Sequence, residues 1–452
     1  MRILSILFIT LLTFPAMAQF QLEMTAILDE KERSIIVDKL LEERFETVLP
    51  DLMRKHGIDM WIIISREYNE DPVLRTMLPS TWISARRRTI MVMYDRGPEL
   101  GVERLAIARY DVGNLFKGAW NQATQPDQWK ALVRLINERN PNKIALNFST
   151  NYAHVDGLTY TEHKEFMAEL DPKFQERVVS AENLGVAWLE TRTDNEMAIY
   201  QHICRIAHVI IQEGFSEKVI TPGVTTTNDL VWWFRNRNRE LGLDTWFHPS
   251  VDVQRADPEN FDHLRTFSSR PEEQVIYPGD LIHVDFGITY LRLNTDTQQH
   301  AYILKPGETE VPKLLQDAFK KGNRLQDLLT NEFKEGLTGN EILAKALANA
   351  KAEGINGTIY THPIGYYGHA SGPTIGMWDN QGKTLGAGDY PLNYRTAYSI
   401  ELNAAVEIPE WKKTIRIMLE EDGYFDENGK FRYIDGRQTE IYPIPRILPY
   451  NR

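Results

Sequence analysis

One cysteine in 452 residues is the sparsest feature of this chain. A lone Cys204 forms no internal disulfide, and a chain of this size has core enough to do without one. Cys204 lies in a helical pattern with Ile203 and Ile210, so it reads as a buried thiol rather than a nucleophile. Basic charge is also short. The formal net charge of −12 argues against nucleic acid or an anionic membrane surface as partner. Beyond Phe14 no apolar run is long enough to span a membrane. Internal repeats and low-complexity tracts are missing too, which excludes solenoids and arrays. What remains is an ordinary globular composition, 42% apolar and 25% charged, over a length suited to about two or three domains.

The N-terminus has an address-like pattern. Met1-Arg2 is positive, Ile3 to Phe14 is apolar or hydroxylic, and Pro15-Ala16-Met17-Ala18 closes with an Ala-x-Ala site. This predicts a cleaved signal peptide over 1–18 and an exported protein, periplasmic or secreted. Gln19 follows, so there is no cysteine for lipid attachment.

From 19 to 190, strand-like runs at Met60–Ser65, Thr89–Tyr94, Leu105–Tyr110 and Lys143–Asn147 alternate with helical patterns at Glu30–Arg54, Gln128–Asn137 and Thr161–Ala168. That order predicts an α/β domain. His56, His154 and His163 read there as surface or capping residues. A second unit, 191–452, opens with Thr193 or Asp194 capping a helix. It continues through helices at Thr227–Leu241, Val311–Glu335 and Thr338–Glu353 and ends in a β-rich tail.

The chemistry concentrates in that second unit. Pro278-Gly279-Asp280 is a turn, Leu281-Ile-His-Val-Asp-Phe286 a strand, and Ile288–Leu293 a further extended run ending at Asn294-Thr295-Asp296. Asp285 inside an apolar strand needs a partner, because an unpaired buried carboxylate is costly. Asp296 follows eleven positions later (296 − 285), far enough for the chain to turn back beside it. Two adjacent carboxylates repel unless a cation lies between them. His362 and His369 lie seven apart in a glycine-rich, non-helical segment. Glu401 interrupts the strand-like Tyr398-Ser-Ile, and Ile415-Arg-Ile-Met-Leu ends in Glu420-Glu421-Asp422. His263 precedes the first strand in a polar loop. Trp378 reads as a core tryptophan, or else as a wall of the substrate pocket.

These residues, in the order Asp–Asp–His–Glu–Glu, resemble the creatinase/methionine-aminopeptidase superfamily, especially its Xaa-Pro aminopeptidase and prolidase branch. The resemblance implies a creatinase-type α/β N-terminal domain followed by an α+β pita-bread catalytic domain. It implies two divalent ions, Mn²⁺ or Zn²⁺ first, with Co²⁺ or Fe²⁺ as further candidates, held by Asp285, Asp296, His362, Glu401 and Glu420. Asp285 would chelate one ion, Asp296 and Glu420 would bridge, and His362 and Glu401 would complete the other. Thr295-Asp-Thr-Gln-Gln looks like the family's Ser-Asp-x-Gln-Arg, and Pro363 and Leu402 depart from the family's residues. The family's Arg-Ile-Glu-Asp fits in two registers. One makes Glu420 the last ligand, with Glu421 as alternative, and the other places Met418 there. Glu401 would accept the proton of the attacking water, and His369 and His263 would contact substrate. The implied substrate is a peptide with proline second, and a homodimer is among the family's arrangements. Two competing readings are a non-peptidase acting on a small amidino or sulfonium compound and a metal-free binding homologue.

Overall fold

A computed structural model describes residues 24–256 and 273–446. The signal segment 1–18 and His263 lie outside the described residues. Helix α1 (Glu30–Lys55) begins with a capping box, Asp29 accepting from the Glu32 amide while Glu32 reaches back. His56 closes it as C-cap.

The N-terminal unit is a six-stranded mixed sheet. Its strands are β1 (Met60–Arg66), β2 (Arg88–Asp95), β3 (Val102–Ala106), β4 (Lys117–Gly118), β5 (Ile144–Leu146) and β6 (Val178–Ser180), in the order β4-β3-β2-β1-β5-β6. Met60 to Ile64 are buried throughout, because α1 and α6 (Glu182–Glu190) cover one face and α3 (Gln128–Arg139) and α4 (Tyr160–Glu169) the other. A strand covered on both faces is a continuous apolar run, which is how it reads in the sequence. Short helices α2 (Pro72–Met77) and α5 (Pro172–Gln175) complete the unit. The strand expected at Leu105–Tyr110 instead spans Val102–Ala106, since its register is fixed by pairing with Met91–Asp95. His154 is not a free surface residue: it contacts Ser371 Oγ at 3.0 Å and packs on Tyr367.

The C-terminal unit starts at α7 (Asp194–Gly214), with Thr193 and Glu196 forming its capping box, and α8 (Thr227–Glu240). Strands β7 (Ser250–Gln254), β8 (Leu281–Phe286), β9 (Thr289–Tyr290), β10 (Leu293–Asn294) and β11 (Thr297–Ile303) follow, then α9 (Lys313–Thr330) and α10 (Gly339–Ala352). The tail comprises β12 (Asn356–Ile359), β13 (His362–Pro363), β14 (Thr396–Ser399), β15 (Leu402–Ile408), β16 (Lys413–Leu419), β17 (Asp422–Phe425), β18 (Phe431–Tyr433) and β19 (Tyr442–Ile444). They form sheets β19-β11-β8-β7, β12-β15-β16 and β13-β14-β17-β18. One helix pair, α7 and α8, buries Ile203, Ile210 and Phe234 against Ile282, Val284 and Phe286 of β8. The other pair, α9 and α10, buries Phe319, Leu325 and Ile342 against β15 and β16. Helices outside and curved sheets inside make the pita-bread arrangement. Since β8 turns its even residues to the first core, period-2 alternation sends His283 and Asp285 to the inner face.

Among the described residues no helix is long and apolar enough to cross a membrane. Cys204 is buried and its Sγ lies 3.4 Å from Asp422 Oδ2.

Candidate metal centre

Each acid or imidazole reaches the centre from a different element. Asp285 comes from β8, where Gln298 of β11 sits directly opposite it. The run expected over Ile288–Leu293 is folded back on itself. Leu291 and Arg292, at φ 52 and 67, make a two-residue hairpin turn between β9 and β10. Two positive-φ non-glycine residues are costly, so tertiary contacts must hold them. Leu291 is buried in the core and Arg292 donates to the Leu78 carbonyl at 2.7 Å, across the two units. The hairpin returns Asp296 to Asp285.

His362 enters from β13, paired with Ser399. Its Nδ1 donates to the Pro363 carbonyl at 3.0 Å, which leaves the lone pair on Nε2. Nε2 lies 3.7 Å from Asp296 Oδ2 and 3.6 Å from Glu420 Oε1. Those separations are long for hydrogen bonds, and donor atoms around one cation, at about 2.0–2.2 Å each, come to lie about 3–3.6 Å apart. Glu401 follows β14. Glu420 follows β16, and its backbone bridges to Gln298 (N to O 3.0 and 3.3 Å).

That bridge sets Glu420 beside Gln298 and the other acids. Glu420 aims into the cluster, with Oε1 accepting from Ser399 Oγ at 2.5 Å. Glu421 points the other way, accepting from Gln299 at 2.9 Å and meeting His208 Nε2 at 2.7 Å. Met418 lines the cavity without joining the ligand group.

Three sets of donors converge, each with one atom per residue and all within 4.8 Å: Asp285–Asp296–Glu420, His362–Glu401–Glu420 and Asp296–His362–His369. Electrostatics show the strain of gathering them. Burial, then Glu420, Asp285 and Glu401, raise the Asp296 pKa well above the usual carboxylate range. Burial, Glu420 and Asp285 do the same to Glu401. Asp296 Oδ1 and His362 Nε2 are buried with no hydrogen-bond partner. Crowded acids, an oriented imidazole lone pair and orphaned buried acceptors fit divalent cations, and the oxygen-rich set suits the harder ones.

The centre opens on a cavity of about 540 Å³ with an aromatic wall of Trp246, Phe247, Tyr360 and Trp378. Trp246 sits close because Gly287 and Gly368 have no side chain. A Cβ on Gly368 would meet the indole at 2.4 Å, and one on Gly287 would meet its Nε1 at 2.6 Å. Trp246 Nε1 donates to the Thr295 carbonyl at 2.9 Å. Trp378 is 55% exposed, so it is a pocket wall and not a core residue. His369 is exposed to this cavity, its ring 4.7 Å from that of His362. Burial on one side, then His362, lower its pKa to about 4, which keeps the imidazole neutral near pH 7.

The histidine loop is braced from both units. Tyr366 donates to Glu196 at 2.9 Å, and Glu196 pairs with the buried Arg44 of α1 at 2.9 Å. Asn294 donates to the Gly365 carbonyl through both its backbone and its side chain, each at 2.9 Å.

Sequence reasoning missed Gln298 and His283. Gln298 donates to Glu401 Oε1 at 2.8 Å and to Glu420 Oε2 at 2.7 Å, and accepts from His283 Nε2 at 2.9 Å. A signal was present: Gln298 stands two residues after Asp296, and His283 two before Asp285, on the strand faces that carry the acids.

Residues 198–421 match the sequence model of the family described as Metallopeptidase family M24. Among solved structures, the chain resembles an X-Pro aminopeptidase from Thermotoga maritima at 17% identity and a TM-score of 0.60, over 87% of this chain and 99% of that one. An Xaa-Pro dipeptidase from Bacillus anthracis is also 17% identical, with a TM-score of 0.56 over 92% of this chain and 100% of that one. The N-terminal domain of the FACT complex subunit SPT16 from chickpea (Cicer arietinum) aligns over 92% of this chain and 98% of its own, at 12% identity and a TM-score of 0.53. At these identities the likeness is one of fold. No curated protein sequence matches.

Proposed function

The chain belongs to the creatinase/methionine-aminopeptidase superfamily, as a metallopeptidase of family M24, and from that premise we propose that it hydrolyses the N-terminal Xaa-Pro bond of peptides. The observation that carries this reading is the convergence of Asp285, Asp296, His362, Glu401 and Glu420 beside an aromatic-walled cavity. Asp285, Asp296 and Glu420 would hold one divalent ion, and His362, Glu401 and Glu420 the other, Mn²⁺ or Zn²⁺ first and Co²⁺ or Fe²⁺ next. Two bound cations supply a water of lowered pKa and a polarised substrate carbonyl.

The protein's own groups do the remainder. Glu401, at the cavity wall, accepts the proton of the attacking water and delivers it to the leaving prolyl nitrogen. Neutral His369, 4.7 Å from the His362 ring, would donate to the substrate carbonyl as negative charge develops. The aromatic wall packs on the residue beside the scissile bond and keeps water out. His263, outside the described residues, is proposed as a second substrate contact. The segment 1–18 supports export to the periplasm or the exterior, and a homodimer is proposed from the family alone.

The reading is tested with a panel of Xaa-Pro and Xaa-Ala peptides plus small amidino and sulfonium compounds, assayed with metal-loaded protein. Release of the N-terminal residue from Xaa-Pro peptides only, lost in Asp296→Asn, is the expected result. Turnover of the small compounds without any Xaa-Pro cleavage would overturn it.

A further inference from the structure

Gln298 stands where the two glutamates of the centre approach one another. Its side chain is buried, and its amide group is fully used. One N–H of Nε2 donates to Glu401 Oε1 at 2.8 Å and the other to Glu420 Oε2 at 2.7 Å. The carbonyl Oε1 accepts from His283 Nε2 at 2.9 Å. This orientation is dictated by chemistry. A carboxylate offers only acceptors, so turning the amide over would set its oxygen against two carboxylates. It also requires a proton on His283 Nε2, with Nδ1 directed at Asp252 Oδ2, 3.7 Å away. Strand register supplies the alignment, since Gln298 is paired with Asp285, and His283 with Asp252 and His300.

We propose that Gln298, oriented by His283, is a positioning residue that clamps Glu401 and Glu420. It takes one oxygen of each glutamate, which leaves for a cation Glu401 Oε2 and the remaining lone pair of Glu420 Oε1, whose other contact is the Ser399 hydroxyl. Glu420 Oε1 is the oxygen 3.6 Å from His362 Nε2, and Glu401 converges with these two residues in one donor group. Two N–H dipoles between the carboxylates also offset their repulsion and limit each to one-oxygen ligation. Gln298 holds two of the three donors of the ion assigned to His362, Glu401 and Glu420, but only Glu420 of the three assigned to Asp285, Asp296 and Glu420, so the first ion's affinity depends on it more.

This inference rests on the metallopeptidase reading. Its test is calorimetric titration of the metal-free full chain with Mn²⁺, comparing wild type, Gln298→Met (similar shape, no donors) and Gln298→Glu (same shape, donors replaced by an acceptor). Wild type is expected to show two binding events. In Gln298→Met the weaker event loses about 10–100-fold in affinity, the usual effect of removing a group that orients a ligand, and the tighter event stays within about threefold. Turnover follows as a fall in kcat with KM nearly unchanged. His283→Phe reproduces the shift, and His283→Phe combined with Gln298→Met adds nothing further, because His283 acts through Gln298. Unchanged affinities and kcat in Gln298→Met, with wild type binding two ions, would overturn the clamp alone. No binding by wild type would overturn the metal reading beneath it. Equal weakening of both events, with the melting temperature lowered to match, would make Gln298 a packing residue and also overturn the clamp.

Discussion

Glu190 ends α6, is 2% exposed, and sits at the junction of the two units. Burial raises its pKa from 4.5 to about 8, because hydrogen bonds from Asn393 (2.9 Å) and Tyr390 (3.2 Å) offset only part of the lost hydration. The folded chain therefore keeps this carboxyl protonated at neutral pH, whereas the unfolded chain ionises it. The sign follows directly. A folded pKa above the unfolded one gives stability that is fully present below about pH 4.5 and is lost as pH rises through about 8. Each unit of pH within that window costs about 1.4 kcal/mol, so the penalty is under about 1 kcal/mol at pH 5 and roughly 3 kcal/mol at pH 7. Glu190→Gln keeps the shape and removes the proton linkage. Whatever constant offset the amide introduces, the stability of the variant relative to wild type should climb by roughly 2–3 kcal/mol between pH 5 and pH 7. Urea unfolding of both proteins at pH 5, 6, 7 and 8, followed by intrinsic fluorescence, measures that difference. A difference that stays flat with pH would refute the reasoning, whatever its size.

Trp378→Ala, at a half-exposed wall, should raise KM about fivefold through loss of about 1 kcal/mol of aromatic contact, with melting temperature and kcat little changed. His208 bridges Glu421 at 2.7 Å and Asp435 at 3.0 Å beneath the centre. His208→Phe strands a buried carboxylate and should cost about 3–5 kcal/mol, read as a lowered urea midpoint. Gly368→Ala drives a methyl into Trp246, so kcat/KM should fall at least about tenfold, and a variant as active as wild type would show that the loop tolerates the displacement.

The legible part of this chain was chemistry carried by residue type and order. Asp285 in an apolar strand, Asp296 after a return, two loop histidines and two strand-end glutamates pointed to a candidate metal centre, and their resemblance to a known superfamily implied the pita-bread class. Met60–Ile64 read as a covered strand for the same reason, since burial on both faces leaves a local pattern. What escaped depends on partners distant in sequence. No propensity marks Leu291-Arg292 as a hairpin turn, because Leu78 and the core hold it there. That Glu420, rather than Glu421, points into the cluster depends on its contact with Gln298, 122 positions away. Gln298 itself looked like motif filler, since a glutamine shows its role only when its three partners are in view. Trp378 could be placed only once the cavity beside it existed.

The central claim is that five side chains from separate strands and loops hold a pair of divalent ions. Elemental analysis of full-length protein purified without chelator and exchanged into Mn²⁺ tests it most directly. About two ions per chain in wild type, falling to one or fewer in Asp296→Asn with the fold intact, is the predicted result. A wild type that retains no ion, with secondary structure undisturbed, would contradict the account.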